Sequence, residues 1–448
     1  MTRQLLNLAV LGAAGALLLG ACTAKEPQPQ TEAAPEQVTF DAYMNRGVAT
    51  KSGEKGELVL DNLKTAGFGV FGYYTNDVLY SQAFLPNFMY NERVRYSASK
   101  WSYAIPKYWP NEFGSNAESE NVDRVSFFAY APYVEVDAST GLVTGDQTVG
   151  ITKVTRATDS GDPKVSYLAS FTPDQCVDLC WGVAAEDLTA GLGTPDGTNN
   201  VSKDDPFLNV AKLRANTPVK YSFKHALASL NVQIDANIDA QDNPTWTAGA
   251  TRIYVRSVTF QGFATEGQLN LNSSYNVPMW KNYEGNGTVS TAPATIYDGR
   301  RDGREANTAA ATELPVGLNP VIVQQGTLQG QAGVTDTAVN LFADDTETTP
   351  IYVVPNDDVL KVTIVYDVET VDEDILSTYL ADGTTHGSVI ENVITQVVKD
   401  GSGNEITMQA GKKYTLKLHL GMASAKFTGE VADWGAQTDG SANLPANE

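Results

Sequence analysis

The chain has 448 residues, with 31 Lys and Arg against 53 Asp and Glu and a formal charge of -22. That balance excludes nucleic acid and an anionic membrane surface as electrostatic partners. With 42% hydrophobic residues a proper core can form, and the length beyond the N-terminal apolar run suits two ordinary domains better than one. Gly, Thr, Asn, Asp and Val are plentiful and few stretches sustain a 3.6-residue period, which points to an all-β chain with many turns.

Arg3 precedes an apolar run from Leu5 to Leu19, closed by Gly20, Ala21 and Cys22. A positive flank, an apolar segment and small residues at its end are the parts of a secretory signal, and the run is short for a membrane span. Leu19-Gly20-Ala21-Cys22 resembles the lipobox of bacterial lipoproteins. The resemblance implies that residues 1–21 are a lipoprotein signal peptide, that Cys22 is lipidated (palmitate and related acyl chains), and that the mature protein is held at the cell outer membrane. Several acyl chains on one residue anchor stably where one would not. Residues 22–37 contain Pro27, Pro29 and Pro35 and no large apolar side chain. They form a flexible tether with a reach of up to roughly 50 Å.

Val38 to Tyr43 alternates weakly and predicts a first strand, followed by a polar, glycine-bearing loop from Asn45 to Gly56. Gly67 to Tyr74 predicts a strand with Phe68 and Val70 on one face and Gly67 and Gly69 on the other, where something approaches closely. Pro86 to Val94, Trp101 to Glu112 and Val125 to Val134 predict three aromatic strands. Aromatics at strand positions read as core ahead of a sugar-stacking platform, because each buries a large apolar area. Cys176 to Gly182 predicts a short strand and Glu186 to Asp205 a loop.

Tyr221 to Ile234 carries Tyr221, Phe223, His225 and Leu227 on one parity and Leu230, Val232 and Ile234 on the other. The change predicts a bulge or short helical turn near Ala228-Ser229. A domain boundary near Asn216 divides an N-terminal domain, residues 38–216, from a C-terminal domain, residues 217–448. Strands follow at Thr251 to Phe260, Ile351 to Val354 and Val359 to Val368. In the last, Leu360, Val362, Ile364, Tyr366 and Val368 face inward, and Lys361, Thr363 and Asp367 face water. Ser290 to Asn340, with Arg300, Arg301 and Arg304, predicts a long surface excursion. Lys413 to Leu420 sends Tyr414, Leu416, Leu418 and Leu420 inward, Ala425 to Trp434 adds a strand, and the tail is small and polar apart from Leu444-Pro445. No repeat period appears.

The chemistry-bearing residues form no catalytic motif. His386 and His419 occupy polar positions, and His225 reads as a satisfied core histidine. There is no His-Glu-x-x-His, no Gly-x-Ser-x-Gly and no phosphate loop. Cys176 and Cys180 lack the Cys-x-x-Cys spacing of a zinc site. On a strand they stand beyond disulfide reach, and only a helical segment would let them bridge. The acidic pairs Asp204-Asp205, Asp344-Asp345 and Asp357-Asp358, and the triplet Asp372-Glu373-Asp374, read as solvated loops ahead of calcium or glycosidase sites. The expectation is a protein that is not an enzyme, with no catalytic residue, metal or cofactor.

Taken together, the lipobox, the aromatic series PNFMYNERV, IPKYWPNE and SFFAYAPY, the segment YSFKHALASLNVQI, and the ending AGKKYTLKLHL followed by Trp434 resemble the fimbrillin-like family, the lipoprotein pilins of type V pili. The resemblance runs from Phe40 to Leu444. It implies two transthyretin-like β-sandwich domains in tandem and a place in a fimbrium (pilus) at the cell surface, where the subunit contributes to adhesion. It also implies trimming by an arginine-specific protease in the loop after the first strand, where Arg46-Gly47 lies, and polymerisation with other pilin subunits by strand exchange. The segment after Trp434, with Leu444 as its large apolar side chain, is the expected donor strand. Expected partners are other subunits, the membrane through the lipid on Cys22 before processing, and a host glycan or protein receptor. The rival reading is a carbohydrate-binding surface lipoprotein, which requires Trp101, Tyr108, Trp109, Trp246 and Trp280 to be exposed and coplanar.

Overall fold

Alternation of apolar and polar residues drives the chain into strands, and a computed structural model is nearly all β. It describes residues 36–44, 56–75, 78–110, 123–145, 148–172, 175–188, 201–211, 217–236, 248–275, 279–281, 292–298, 322–324, 339–341, 350–380, 384–421 and 425–434. Its one helix among these residues, α1 (Leu60–Ala66), stops at Gly67, whose N–H donates to Leu63 O and whose φ of 75° a side chain would strain.

The first sheet has the order β1 (Phe40–Met44), β10 (Val219–His225), β8 (Cys180–Ala184), β5 (Val125–Ala131), β2 (Phe68–Tyr74), β3 (Met89–Ser97) and β4 (Lys100–Ser102), with β9 (Phe207–Val210) also on β5. A second sheet runs β14 (Met279–Lys281), β13 (Glu266–Asn270), β7 (Lys164–Leu168), β6 (Gly150–Val154). A third runs β15 (Ala294–Asp298), β12 (Thr251–Gln261), β19 (Lys361–Val371), β20 (Gly387–Val397), with β16 (Ile322–Gln324) on β12. The fourth runs β17 (Val339–Asn340), β11 (Ala228–Ala236), β22 (Lys412–Leu420), β23 (Ala425–Asp433), β21 (Lys399–Asp400), with β18 (Ile351–Val353) on β11.

Both faces of the first sheet are buried. Phe68, Val70, Phe127, Tyr221 and Phe223 pack into one cluster with β1, and Phe71, Tyr73, Phe128, Tyr130 and Trp181 enter a larger one. The larger cluster continues through Leu269, Val362, Leu416 and Trp434, so residues from before and after position 216 share one core. Residues Glu36–Glu448 form one compact unit. Asn216 itself lies outside the described residues. The chain passes from the first sheet to the fourth at Ala226-Leu227, between β10 and β11, and β13 returns to pair with β7 of the N-terminal half.

Several expectations are corrected. The parity change falls at Ala226-Leu227 rather than Ala228-Ser229, because the chain there leaves one sheet for another instead of bulging within a strand. The face of β2 that carries Gly69 also carries Phe71 and Tyr73 and is fully buried. A Cβ at Gly69 would stand 2.4 Å from the Tyr130 ring, so the close approach is by a core tyrosine. Asp367, expected in water, is 1% exposed. The bulge at Arg256 on β12 brings that guanidinium to within 3.8 Å of Asp367 and onto Glu391. The stretch from Ser290 to Asn340 is not all surface, since Ile296 and Tyr297 of β15 are buried against β12.

Candidate assembly groove

β1 stands at one end of the first sheet, which makes it separable. Its residues pair with β10 in parallel, from Phe40 opposite Val219 to Met44 opposite Phe223. Parallel ladders are slightly less stable per residue than antiparallel ones. The preceding residues are held on the other flank, by the segment after β4. Trp109 N–H donates to Glu36 O at 2.9 Å, Val38 N–H to Lys107 O at 2.8 Å, and the Tyr103 hydroxyl to Val38 O at 2.6 Å.

The strand's period of two sends Val38, Phe40 and Ala42 inward, all at most 5% exposed, and leaves Tyr43 42% exposed. The Phe40 ring sits among Phe68, Tyr103, Phe127 and Tyr221 at centroid distances of 6.4, 5.6, 5.9 and 6.1 Å. Burying Val38 and Phe40 stabilises the seated strand by about 1.5–3 kcal/mol each. Tyr221 lies under β1, opposite Ala42. Its hydroxyl is buried without a hydrogen-bond partner among the described residues, and burial pushes the phenol well above its usual range. Buried polar atoms are normally satisfied, so this hydroxyl is a cost of the seated arrangement.

β1 ends at Met44 and the described chain resumes at Gly56, which is fastened at once. Asp178 N–H donates to Gly56 O at 3.2 Å, and Leu58 N–H donates to Asp178 Oδ2 at 3.2 Å. A Cβ at Gly56 would meet Cys176 O at 2.1 Å, and its φ is 78°, so the position requires glycine. Glu57 is buried. Its Oε1 accepts from Trp434 Nε1 at 2.7 Å and pairs with Lys413 Nζ at 3.1 Å. Trp434 in turn stacks on the His225 ring, centroids 4.0 Å apart and planes at 6°. Glu57, one residue after the described chain resumes, and Trp434, its last described residue, are therefore joined by one hydrogen bond. Neither Glu57 nor Trp434 was singled out as a pair by sequence, because they lie 377 positions apart.

Of the expected site residues, Cys22, Arg46, Gly47 and Leu444 lie outside the described residues. Met44 and Gly56 bracket Arg46-Gly47, and Trp434 precedes the segment with Leu444. Cys176 and Cys180 are both buried, and no disulfide joins them. Burial and the neighbouring Asp178 carboxylate push the Cys180 thiol well above its usual range. Trp101 and Trp109 are 9% and 7% exposed, Tyr108 is 46% exposed, and Trp280 is half-buried with its Nε1 donating to Ala226 O at 2.9 Å. Trp246 lies outside the described residues. Of the four that are described, Trp101 and Trp109 are core, Trp280 packs against the core and Tyr108 is exposed.

A family model described as fimbrillin-like matches residues 199–434. The fimbrium subunit Fim1C of Phocaeicola vulgatus is similar to this chain, 23% identical over 449 residues and 96% of each chain. A solved structure of a fimbrial protein from Bacteroides vulgatus is also similar, at 18% identity and a TM-score of 0.48, covering 89% of this chain and 99% of that one.

Proposed function

Because the chain belongs to the fimbrillin-like family, we propose that it is a subunit of a surface fimbria that assembles when β1 leaves its groove and a strand of a neighbouring subunit replaces it. Its work is structural rather than catalytic. The observation that carries the reading is the seat of β1: an end strand, paired in parallel, over an aromatic floor with an unsatisfied Tyr221 hydroxyl.

Cleavage after Arg46 would free the lipid, the tether and β1 together. Gly56 onward would stay fastened through Asp178, Glu57 and Trp434. The vacated groove would expose the edge of β10 from Val219 to Phe223 and the rings of Phe68, Phe127 and Tyr221, both costly in water. An extended segment of another subunit satisfies both needs, backbone bonds giving affinity and side-chain pockets giving register. The residues after Trp434, with Leu444 as the apolar anchor, are the donor on this reading. Two β-sandwich domains in tandem would form the body of the subunit, and the fibre would adhere to a glycan or protein receptor. Before processing, lipid on Cys22 would hold the precursor at the outer membrane.

Two measurements test this. Purified precursor treated with an arginine-specific protease should give SDS-resistant ladders, and a chain truncated after Trp434 should give monomer only. Ladders of equal length from the truncated chain would remove the tail from the donor role. Separately, cells fed radioactive fatty acid should label the wild-type precursor and not Cys22→Ala. Equal labelling of the two would exclude lipidation at Cys22.

A further inference from the structure

We propose that Asp178, Cys180 and His225 form a structural binding site for a transition-metal dication, with zinc(II) favoured by the donor set. The proposal does not depend on the fimbrial reading. β8 and β10 are antiparallel neighbours whose register sets His225 directly opposite Cys180, and Asp178 comes two residues before Cys180. Cys180 Sγ lies 3.4 Å from His225 Nδ1 and 3.6 Å from Asp178 Oδ2, and Nδ1 lies 2.7 Å from Oδ2. Tetrahedral zinc with ordinary bond lengths to sulfur, nitrogen and oxygen has ligand–ligand edges of about 3.3–3.6 Å. Both sulfur distances already match. The nitrogen–oxygen pair is at hydrogen-bond separation and would open by about half an ångström to admit the ion.

The second observation is electrostatic. Asp178 is 1% exposed, and its Oδ1 is buried with no hydrogen-bond partner among the described residues. A buried carboxylate is expensive unless it is paired or coordinates a metal. Leu58 N–H and His225 Nδ1 both face Oδ2, the other oxygen of that carboxylate. A dication would neutralise the carboxylate's charge. Cys180 would release its proton to solvent and bind as thiolate, and neutral His225 would bind through Nδ1 with its proton moved to Nε2. With the Asp178 carboxylate, the charges of the centre then sum to zero. The ion would be held by three side chains, one oxygen of Asp178 among them, with a fourth position left to an exogenous ligand, because the two oxygens of one carboxylate stand too close to span a tetrahedral edge. Its effect would be to staple β8 to β10 beneath the His225–Trp434 stack.

The alternative is a hydrogen-bonded cluster with no ion. The test uses the full chain carrying Cys22→Ser, so that only Cys176 and Cys180 supply thiols. Produced in zinc-supplemented medium, it should hold one equivalent of zinc by mass spectrometry. Produced with cobalt(II), it should show a sulfur-to-cobalt charge-transfer band and the intense visible bands of a tetrahedral ion. Cys176→Ser should keep the band, while Cys180→Ser and His225→Ala should lose it and bring the metal content to background. Those two substitutions are buried, so the spectrum of the Cys22→Ser chain decides alone should they fail to fold. Metal at background with no charge-transfer band would overturn the site, as would a band that survives Cys180→Ser.

Discussion

Replacing Val362 with Asp is expected to unfold most of the chain. Val362 is fully buried on β19, between Phe260 of β12 and Gln396 of β20, in the large core cluster. The substitution removes a side chain whose burial stabilises by about 1.5–3 kcal/mol. It also places a carboxylate inside an apolar cluster, and a buried unpaired charge adds several kcal/mol or forces protonation. Together these approach the roughly 5–15 kcal/mol that hold a domain folded. The control is Lys361→Asp, one residue earlier on the exposed face, which should shift the urea midpoint little because surface changes are usually within about 0.5 kcal/mol. Equal midpoints for the two variants would show that the face assignment of β19 is wrong.

That face was legible because apolar residues recur at every second position through the first part of β19 and along β22. Leu360, Val362, Ile364, Tyr366, Leu416, Leu418 and Leu420 are all at most 1% exposed. The same logic placed the first strand, since Val38, Phe40 and Ala42 share one parity and lie in one groove. Legibility ended where a strand lacks one wet and one dry face. β20 passed unnoticed because Ile390 and Val393 are exposed, at 54% and 62%, so its apolar residues mark no core side. β6, β7 and β13 are five residues each, too short to establish a period. Asp367 misled for the opposite reason, since its burial depends on Arg256 from another strand, a partner that local alternation does not reveal.

The sites divide in the same way. Arg46 and Leu444 were named from the family resemblance together with two local features, a polar, glycine-bearing stretch and one large apolar side chain in a polar tail. The clamp at Glu57 and Trp434 and the cluster of Asp178, Cys180 and His225 are built from residues far apart in sequence. Cys180 and His225 meet only because β8 and β10 are neighbours. No ligand spacing could have signalled them, and the four-residue interval between Cys176 and Cys180 drew attention to a pair that does not form.

Arg46→Ala is expected to abolish assembly by an arginine-specific protease. In the uncut chain β1 competes for its own groove from within the molecule, at an effective concentration of about millimolar. A donor strand from a second subunit at micromolar concentration is then outcompeted by about a thousandfold. The intramolecular seat also keeps Val38 and Phe40 buried, so a groove once filled has little reason to open. Cutting the chain between Met44 and Gly56 removes that advantage. The freed β1 can diffuse away, while Glu57 stays held by Trp434 and Lys413. Lys51 and Lys55 lie in the same loop, so a lysine-specific protease should restore ladders to Arg46→Ala. That rescue would show that release of β1, rather than the identity of residue 46, is the trigger. Arg300, Arg301 and Arg304 offer the arginine protease other places to cut, and a triple alanine variant there should ladder as wild type does. Undiminished ladders from Arg46→Ala under the arginine-specific enzyme would mean that cleavage at this loop does not start assembly.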